Sequence, residues 1–281
     1  MRRVAVVTDS AANLPPELVE KYQIAVIPLL VVFGREAFRD GVDITTREFY
    51  RRLRTEDQLP TTTTPSVGDF LSLYSKLSQK AESIVSIHLS RGLSATVETA
   101  EEAAQMFDEV PVHVIDSRTA VMAQGFIALE AARAAQGGGL EAVVARAEEM
   151  ISRVDLIAML DTLEYLYRGG RIGRAARLMG SVLNFKPLLF VKDGVADALE
   201  RPRTRAKAMQ RMLEIVAERV EGLPAHIAVM HADALEEAKR LHREVAARFH
   251  CVELYITEFT PVLGTHAGPG LVGLSFWAED A

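Results

Sequence analysis

The sequence predicts an α/β protein of two domains: a Rossmann-like N-terminal domain with a parallel sheet over residues 1–154, and a C-terminal domain with a mixed sheet over residues 155–281. Three observations support this fold class. The 281 residues exceed the usual size of one compact domain, about 100–200 residues. Short apolar runs alternate with amphipathic stretches in the first half, which indicates parallel strands covered by helices. The second half instead contains an Asp-Gly turn between two apolar runs.

Four apolar runs of the first half, bounded by Asp, Ser, Gly or Pro, are predicted strands. They cover Val4–Val7, Ile24–Phe33, Ser83–His88 and Val112–Ile115. Five stretches with helical spacing accompany them, over Pro15–Tyr22, Thr45–Leu53, Pro65–Leu77, Ser94–Phe107 and Thr119–Ala135. Residues 136–139, Gln-Gly-Gly-Gly, predict a flexible joint, and a helix over Leu140–Arg153 then leads out of the domain.

The second half begins with a predicted strand and a short helix, Asp155–Leu160 and Thr162–Tyr167. A hairpin is predicted where Pro187–Val191 and Val195–Leu199 flank Lys192-Asp193-Gly194. Helix and strand then alternate over Thr204–Arg219, Ala225–Met230, Ala234–Phe249 and Val252–Ile256. A tight loop over Gly264–Gly270 and a strand over Leu271–Trp277 are the last predicted elements.

Composition excludes several classes of protein. With 49% hydrophobic and 25% charged residues, the chain is neither disordered nor fibrous. A net charge of −6 argues against nucleic acid as the main partner, because such a partner requires a basic face. The single cysteine, Cys251, excludes an intrachain disulfide and a multi-cysteine metal site. Val4–Val7 is too short for a signal peptide and no apolar run approaches the ~18–20 residues of a membrane span, so we expect a soluble, cytoplasmic protein.

A run of hydroxyl groups precedes the helix predicted to begin at Pro65. Proline suits the first helical position because its missing N–H needs no partner there. Thr64 is then the predicted N-cap. The helix does not require the hydroxyls of Thr61, Thr62 and Thr63, so they are available for a ligand.

A second group of small polar residues follows the predicted strand Ser83–His88, with Ser94 at the start of the next helix. In an open parallel sheet, ligands bind outside the carboxyl ends of the strands. Helix N-termini there present free N–H groups and about half a positive charge, which suits a carboxylate or a phosphate. Serine and threonine also cap helices, so structural capping is the alternative for both stretches.

Three further residues lie at or near the same predicted edge. Asp9 and Asp116 each end a strand in an Asp-Ser pair, and capping of the following segment is the alternative that we prefer for Asp116. His266 lies between glycines that allow its loop to approach the first domain closely.

Nucleotide and metal sites have no motif support. The glycines of residues 169–173 lack the dinucleotide-binding spacing, and no P-loop motif occurs. His226 and His231 are five residues apart on a predicted strand and therefore face opposite sides.

An alternative function is that of a serine esterase or acyl hydrolase. Residues 92–96, Gly-Leu-Ser-Ala-Thr, are similar to the G-x-S-x-G nucleophile elbow, and Asp116 and His266 follow Ser94 in the order of an α/β-hydrolase triad. Against it, Thr96 replaces the final glycine and no HGGG-like oxyanion segment precedes the serine.

Several segments together resemble the DegV family of bacterial fatty-acid-binding proteins, over essentially the whole chain. They are Thr8-Asp9-Ser10, Pro60 to Ser66, Leu93-Ser94-Ala95-Thr96, Gly169-Gly170-Arg171-Ile172, Arg203-Thr204-Arg205 with Lys207, and His266-Ala267-Gly268-Pro269-Gly270. There are two departures. Thr62-Thr63-Thr64-Pro65 replaces the usual Thr-Ser-Gln-Pro, and Ala95 replaces a glycine. Thr63 retains a hydroxyl and Ala95 is small, so we expect the site to be preserved.

The resemblance implies that one long-chain fatty acid, such as palmitate or oleate, is buried between the two domains. It implies that Thr62 and Ser94 hold the carboxylate, with Thr63 and His266 beside them, and that the tail fills a tunnel formed largely by the C-terminal domain. It implies a carrier without turnover of its own and without a cofactor or metal, for lipid transport or fatty acid metabolism. Any membrane contact is expected to be transient.

The resemblance also implies a protein partner. Some members act as the acyl-carrying subunit of fatty acid kinase and present the carboxylate to an ATP-binding subunit that forms acyl-phosphate. The positions matching Arg203 and Arg205 are expected to dock that subunit. On the residues alone, a solvated basic surface at the helix start is the alternative.

Overall fold

The computed structural model describes residues 2–56, 58–179 and 185–280. Its strands are β1 (Ala5–Asp9), β2 (Ala25–Ile27), β3 (Leu30–Phe33), β4 (Glu36–Arg39), β5 (Thr61–Thr63), β6 (Ile84–His88), β7 (Val112–Asp116), β8 (Asp155–Met159), β9 (Leu188–Lys192), β10 (Val195–Glu200), β11 (Ala225–His231), β12 (Cys251–Glu258) and β13 (Val272–Ala278). Its helices are α1 (Pro16–Tyr22), α2 (Thr46–Thr55), α3 (Val67–Ser78), α4 (Thr96–Met106), α5 (Val121–Ala134), α6 (Leu140–Arg153), α7 (Glu164–Arg168), α8 (Arg205–Val220), α9 (Leu235–Arg248) and α10 (Pro261–Ala267), with 3₁₀ turns over Ser10–Ala12 and Gly173–Leu178.

Two separate sheets confirm the predicted fold class. A parallel sheet has the order β2-β1-β6-β7, and all its pairings are parallel. A mixed sheet has the order β10-β9-β8-β13-β11-β12, in which only β11 and β12 pair in parallel. Because α6 ends at Arg153 and the later described strands all join the mixed sheet, we propose residue 155 as the start of the second domain.

The β9–β10 hairpin forms as the Asp-Gly pair predicts. Asp193 and Gly194 both have positive φ angles, 51° and 79°, as a type I′ turn requires. The turn packs against the first domain, where Ser90 Oγ donates to the Gly194 carbonyl at 2.7 Å. The hairpin therefore reaches across from one domain to the other.

The prediction of one strand over Ile24–Phe33 is wrong. Pro28 separates β2, which pairs with β1, from β3, which belongs to a third, antiparallel sheet of order β4-β3-β5. Proline cannot donate to a strand ladder, so the pairing is interrupted at this residue. The backbone N–H of Leu29 donates instead to Ser10 Oγ at 3.1 Å, which turns the chain into the new sheet.

The predicted start of α3 is also wrong. Ser66, and not Thr64, is the N-cap: its hydroxyl accepts from the Asp69 N–H, and the Asp69 carboxylate accepts from the Ser66 N–H. This reciprocal pair forms a capping box, which satisfies two donors that Thr64 alone could not. The preceding threonines are consequently available to form β5, which pairs with β3.

The predicted loop over Gly264–Gly270 is a helix up to Ala267, and the first domain positions it. Pro261 occupies the first turn of α10, and the Val262 N–H donates to Asp40 Oδ1 at 3.1 Å across the domain boundary. A Cβ on Gly264 would lie 2.6 Å from a ring carbon of Phe49, so glycine permits the helix to pack directly on α2. No helix within the three described ranges is long and apolar enough to cross a membrane.

Candidate functional site

An apolar cavity lies between the two domains. It encloses about 900 Å³, including its open mouth. Among the described residues that line it, four are polar, namely Thr62, Ser94, Arg171 and His266, and the others are aliphatic or phenylalanine.

Strand β8 shows how the second domain supplies one wall. Leu156, Ala158 and Leu160, at β8 and directly after it, line the cavity. Ile157 and Met159, which alternate with them, pack into a separate core with residues of α8. Successive side chains of a strand point to opposite faces, so one strand serves both the cavity and the outer core. Most of the described lining residues belong to this second half of the chain.

Thr62 reaches the cavity from the middle of β5, where it pairs with Val31 of β3. Its Oγ1 lies 2.8 Å from Nε2 of His266, so the hydrogen bond joins the two domains. Thr63, the next residue, is exposed and is not among the lining residues. The strand alternation that brings Thr62 inward turns Thr63 outward, and its expected place beside the ligand is wrong.

His266 lies on α10, with its imidazole between Thr62 and Gly169. Its Nδ1 is buried and has no hydrogen-bond partner among the described residues. Burial, together with the positive charge of Arg171, lowers the pKa of His266 from its ordinary value near 6.5 to about 4. The imidazole is therefore neutral at physiological pH and acts through hydrogen bonds and shape.

Ser94 lies before α4, whose N-cap is Ala95, so the helix begins two residues later than predicted. The Ser94 hydroxyl is 2.9 Å from Oγ1 of Thr96. Ser94 and Thr62 thus line one cavity as predicted, although only Ser94 lies at a helix start. The prediction of an anion site at the start of α3 is wrong, because the side chains of Ser66 and Asp69 already accept hydrogen bonds from backbone N–H groups at that end of the helix.

Arg171 is the polar lining residue that the sequence did not identify as part of the site. Its Nε donates to the Leu93 carbonyl at 3.1 Å, and its Nη1 donates to the Gly169 carbonyl at 2.7 Å. The guanidinium thus connects the segment before Ser94 to the segment beside His266. Residues 169–172 belong to one of the segments on which the family resemblance rests, but they match no nucleotide-binding motif. The sequence alone therefore assigned Arg171 no role in the site.

The residues of the alternative hydrolase triad do not contact one another. Asp116 accepts from the backbone N–H groups of Arg118 and Arg91, at 2.8 and 3.3 Å, and so shapes a turn and does not cap α5. His266 is bonded to Thr62 and Ser94 to Thr96. A triad needs the histidine between the serine and the carboxylate, so this constellation is wrong.

Asp9 has a structural place at the carboxyl end of β1. Its carboxylate accepts from the Ala11 N–H, the Leu89 N–H and His88 Nδ1, at 3.0, 3.0 and 2.9 Å. The residue is fully buried and caps the 3₁₀ turn, as the capping alternative holds. It therefore joins the ends of β1 and β6 without facing the cavity.

The two arginines expected to dock a partner differ in their surroundings. Arg205 is partly buried, donates to Asp161 Oδ1 at 2.6 Å and to the Gly270 carbonyl at 2.8 Å, and pairs with Glu237. These contacts hold the segment after α10, so a docking role for Arg205 is not supported. Arg203 is exposed, and within the described residues its side chain makes no recorded ion pair.

The chain is similar over nearly its whole length to proteins of one family. The sequence profile of the DegV family matches residues 3–279. Protein DegV of Bacillus subtilis is 39% identical over 274 residues, which cover 96% of this chain and 98% of that protein.

Solved structures show the same similarity. The structure of DegV from Bacillus subtilis, described as a fatty acid binding protein, superposes with a TM-score of 0.92 at 38% identity, over 99% of this chain and 100% of that one. A DegV family protein from Thermus thermophilus, described by its fatty acid binding, gives 0.92 at 34% identity, with the same coverage. A stearic acid-binding protein from Eubacterium ventriosum gives 0.90 at 25% identity, over 98% of both chains.

The lowered pKa of His266 predicts a pH-dependent stability. A folded-state pKa of about 4, below the unfolded value near 6.5, means that the neutral imidazole contributes stability above pH 6.5 and that this contribution is lost as the pH falls towards 4. At about 1.4 kcal/mol per pKa unit, His266 accounts for at most about 3 kcal/mol. We expect His266→Asn to reduce the fall in the free energy of unfolding between pH 7 and 4.5, measured by urea denaturation. The exposed His250→Asn is the control, and an unchanged pH slope in His266→Asn would contradict the assignment.

Proposed function

The chain belongs to the DegV family, and from this premise we propose that it binds one long-chain fatty acid in the cavity between its domains. The observation that carries the proposal is the cavity itself: an apolar space whose described lining contains only four polar side chains, contributed by both domains. An amphiphile with one acidic head and one unbranched tail has this distribution of polarity. The relatives described as fatty acid binding proteins support the same ligand class.

The tail supplies the affinity in this proposal. A C16–C18 chain removes some fifteen methylenes from water at ~0.8 kcal/mol each, a gross gain on the order of 12 kcal/mol before the costs of ordering the ligand. A wall that is aliphatic or phenylalanine apart from four polar residues suits a polymethylene chain. Palmitate and oleate are the acids that we propose first.

The polar residues orient the head group. A buried carboxylate without partners is strongly disfavoured, so several donors must converge on it. Thr62 and Ser94 offer hydroxyl donors, and Arg171 offers positive charge nearby. Because Nε and Nη1 of Arg171 each donate to a backbone carbonyl, the side of the guanidinium that carries Nε is not available to the carboxylate. We propose that the hydroxyls of Thr62 and Ser94 are the direct donors, and single hydrogen bonds of this kind leave an oxygen accessible for reaction.

We propose further that the chain presents this carboxylate to an ATP-dependent fatty acid kinase. In that reaction a carboxylate oxygen bonds to the γ-phosphorus of ATP, the bond to the bridging oxygen breaks, and ADP leaves with its electrons. This chain would supply the bound acid and no catalytic group, and the product would enter fatty acid metabolism. The exposed Arg203, with the exposed Arg201 and Lys207 nearby, is the basic surface that we propose for the docking of the kinase.

We expect protein purified from cells to carry a fatty acid. Organic extraction followed by mass spectrometry should release a C16–C18 acid in about equimolar amount. Delipidated protein should be stabilised by palmitate or oleate, since a ligand at about 100 times its dissociation constant adds about 2.7 kcal/mol to the free energy of unfolding. Absence of both the extracted acid and the thermal shift would reject the proposal.

We expect Thr62→Ala combined with Ser94→Ala to weaken binding of the acid more than binding of the matching alcohol. Each hydrogen bond to a charged group contributes about 1.5–3 kcal/mol, so each substitution should reduce palmitate affinity roughly tenfold to a hundredfold. Hexadecanol has the same tail without the charge and should lose less. Competition with a fluorescent fatty acid measures both ligands. The outward-facing Thr63→Ala is the matched control, and an equal loss for palmitate and hexadecanol would contradict the assigned role.

We expect Arg203→Glu to impair acyl-phosphate formation without altering fatty acid affinity. Reversal of an exposed charge at a docking surface mainly changes association with the partner. The measurement is transfer of phosphate from labelled ATP in the presence of the ATP-binding subunit of a fatty acid kinase. Arg243→Glu, an exposed arginine of α9, is the control. Equal rates for Arg203→Glu and the unmodified chain would exclude Arg203 from docking.

A further inference from the structure

Gly169 lies directly against the imidazole of His266. A Cβ on this residue would be 2.3 Å from Nδ1 and 3.0 Å from Cε1 of the ring. The backbone does not require a glycine here, because φ of −75° and ψ of −6° are accessible to any residue. A side chain at this position would overlap the imidazole, and this overlap accounts for the glycine.

The same residue also connects to the other polar groups of the cavity. Its carbonyl accepts from Arg171 Nη1 at 2.7 Å, and Arg171 Nε donates to the carbonyl of Leu93, which precedes Ser94. Gly169 thus contacts His266 on one side and Arg171 on the other. The guanidinium is close enough to His266 for its positive charge to disfavour protonation of the imidazole.

The hydrogen bond between Thr62 and His266 has two forms, which differ in the position of one proton. In the first, Nε2–H donates to Thr62 Oγ1 and Nδ1 carries a lone pair. In the second, the threonine hydroxyl donates to Nε2, and Nδ1 carries a proton with no acceptor among the described residues. Orphaned buried N–H groups are rare, and the nearby guanidinium cation repels an N–H dipole that points towards it. The first form is therefore favoured.

This inference rests on the proposed function and goes beyond it. We propose that Gly169 is a positioning residue: the space at its α-carbon holds His266 with Nε2–H directed at Thr62 Oγ1, so that the threonine hydroxyl proton is free to donate to the fatty acid carboxylate. Without the imidazole as donor, Thr62 would direct its proton into the protein. The substitution Gly169→Ala would displace the ring and remove this orientation.

The tautomer can be measured without any ligand. In long-range ¹H–¹⁵N spectra of the full chain, Nε2 of His266 should give the signal of a protonated nitrogen and Nδ1 that of an unprotonated one. The chain contains seven histidines, and the signals of His266 are assigned by their loss in His266→Asn. A protonated Nδ1 with an unprotonated Nε2 would overturn the proposal, whether or not a fatty acid binds. Failure of the chain to bind any fatty acid would instead reject the proposed function.

A double-mutant cycle tests the role of Gly169. Gly169→Ala should reduce palmitate affinity roughly tenfold or more, because it removes an oriented donor to a charged group. In a His266→Ala background it should change affinity by less than about twofold, the usual limit of independent behaviour. A substitution that acted only on stability would reduce affinity equally in both backgrounds, and that result would overturn the proposal. Gly137→Ala, whose Cβ meets no atom within 4 Å, is the matched control. If Gly169→Ala does not fold, the tautomer measurement on the unmodified chain decides alone.

Discussion

Two hydrogen bonds between the domains join the polar groups of the apolar cavity, and the site depends on them. Thr62 of the first domain bonds His266 of the second, and Arg171 of the second domain donates to the carbonyl of Leu93 in the first. A polar atom buried without such a partner would destabilise the docked arrangement. The packing of the two domains therefore also assembles the site, and neither domain holds the complete site alone.

Other contacts join the two domains as well. Asp40 accepts from the first turn of α10, Asn13 donates to Thr257 at 2.8 Å, and Arg133 pairs with Glu253. Burial raises the pKa of Glu253, but hydrogen bonds from His226, Arg133 and Tyr255 outweigh this effect and lower it to about 2. These contacts lie on different elements, so the two domains are held together at several points.

The order of strands and helices could be predicted from local patterns, because periodicity and turn chemistry are properties of neighbouring residues. The common location of Thr62, Ser94 and His266 could be predicted from the sequence because the segments that contain them resemble those of a known family. The helical state of α10 could not be predicted, since Asp40 and the surface of α2 stabilise it from a distance. The outward position of Thr63 depends on strand β5, whose pairing with β3 is also non-local. Arg171 was missed for the same reason: its partners lie on both domains.

The alternation along β8 has an evolutionary consequence. The side chains of Leu156, Ala158 and Leu160 face the cavity, whereas Ile157 and Met159 pack in the core beneath α8. Thr62, Ser94 and His266 lie on other elements altogether. Substitutions on one side of a strand can therefore reshape the cavity wall while the core on the other side keeps its residues, so related chains with differently shaped cavities can arise by a few changes.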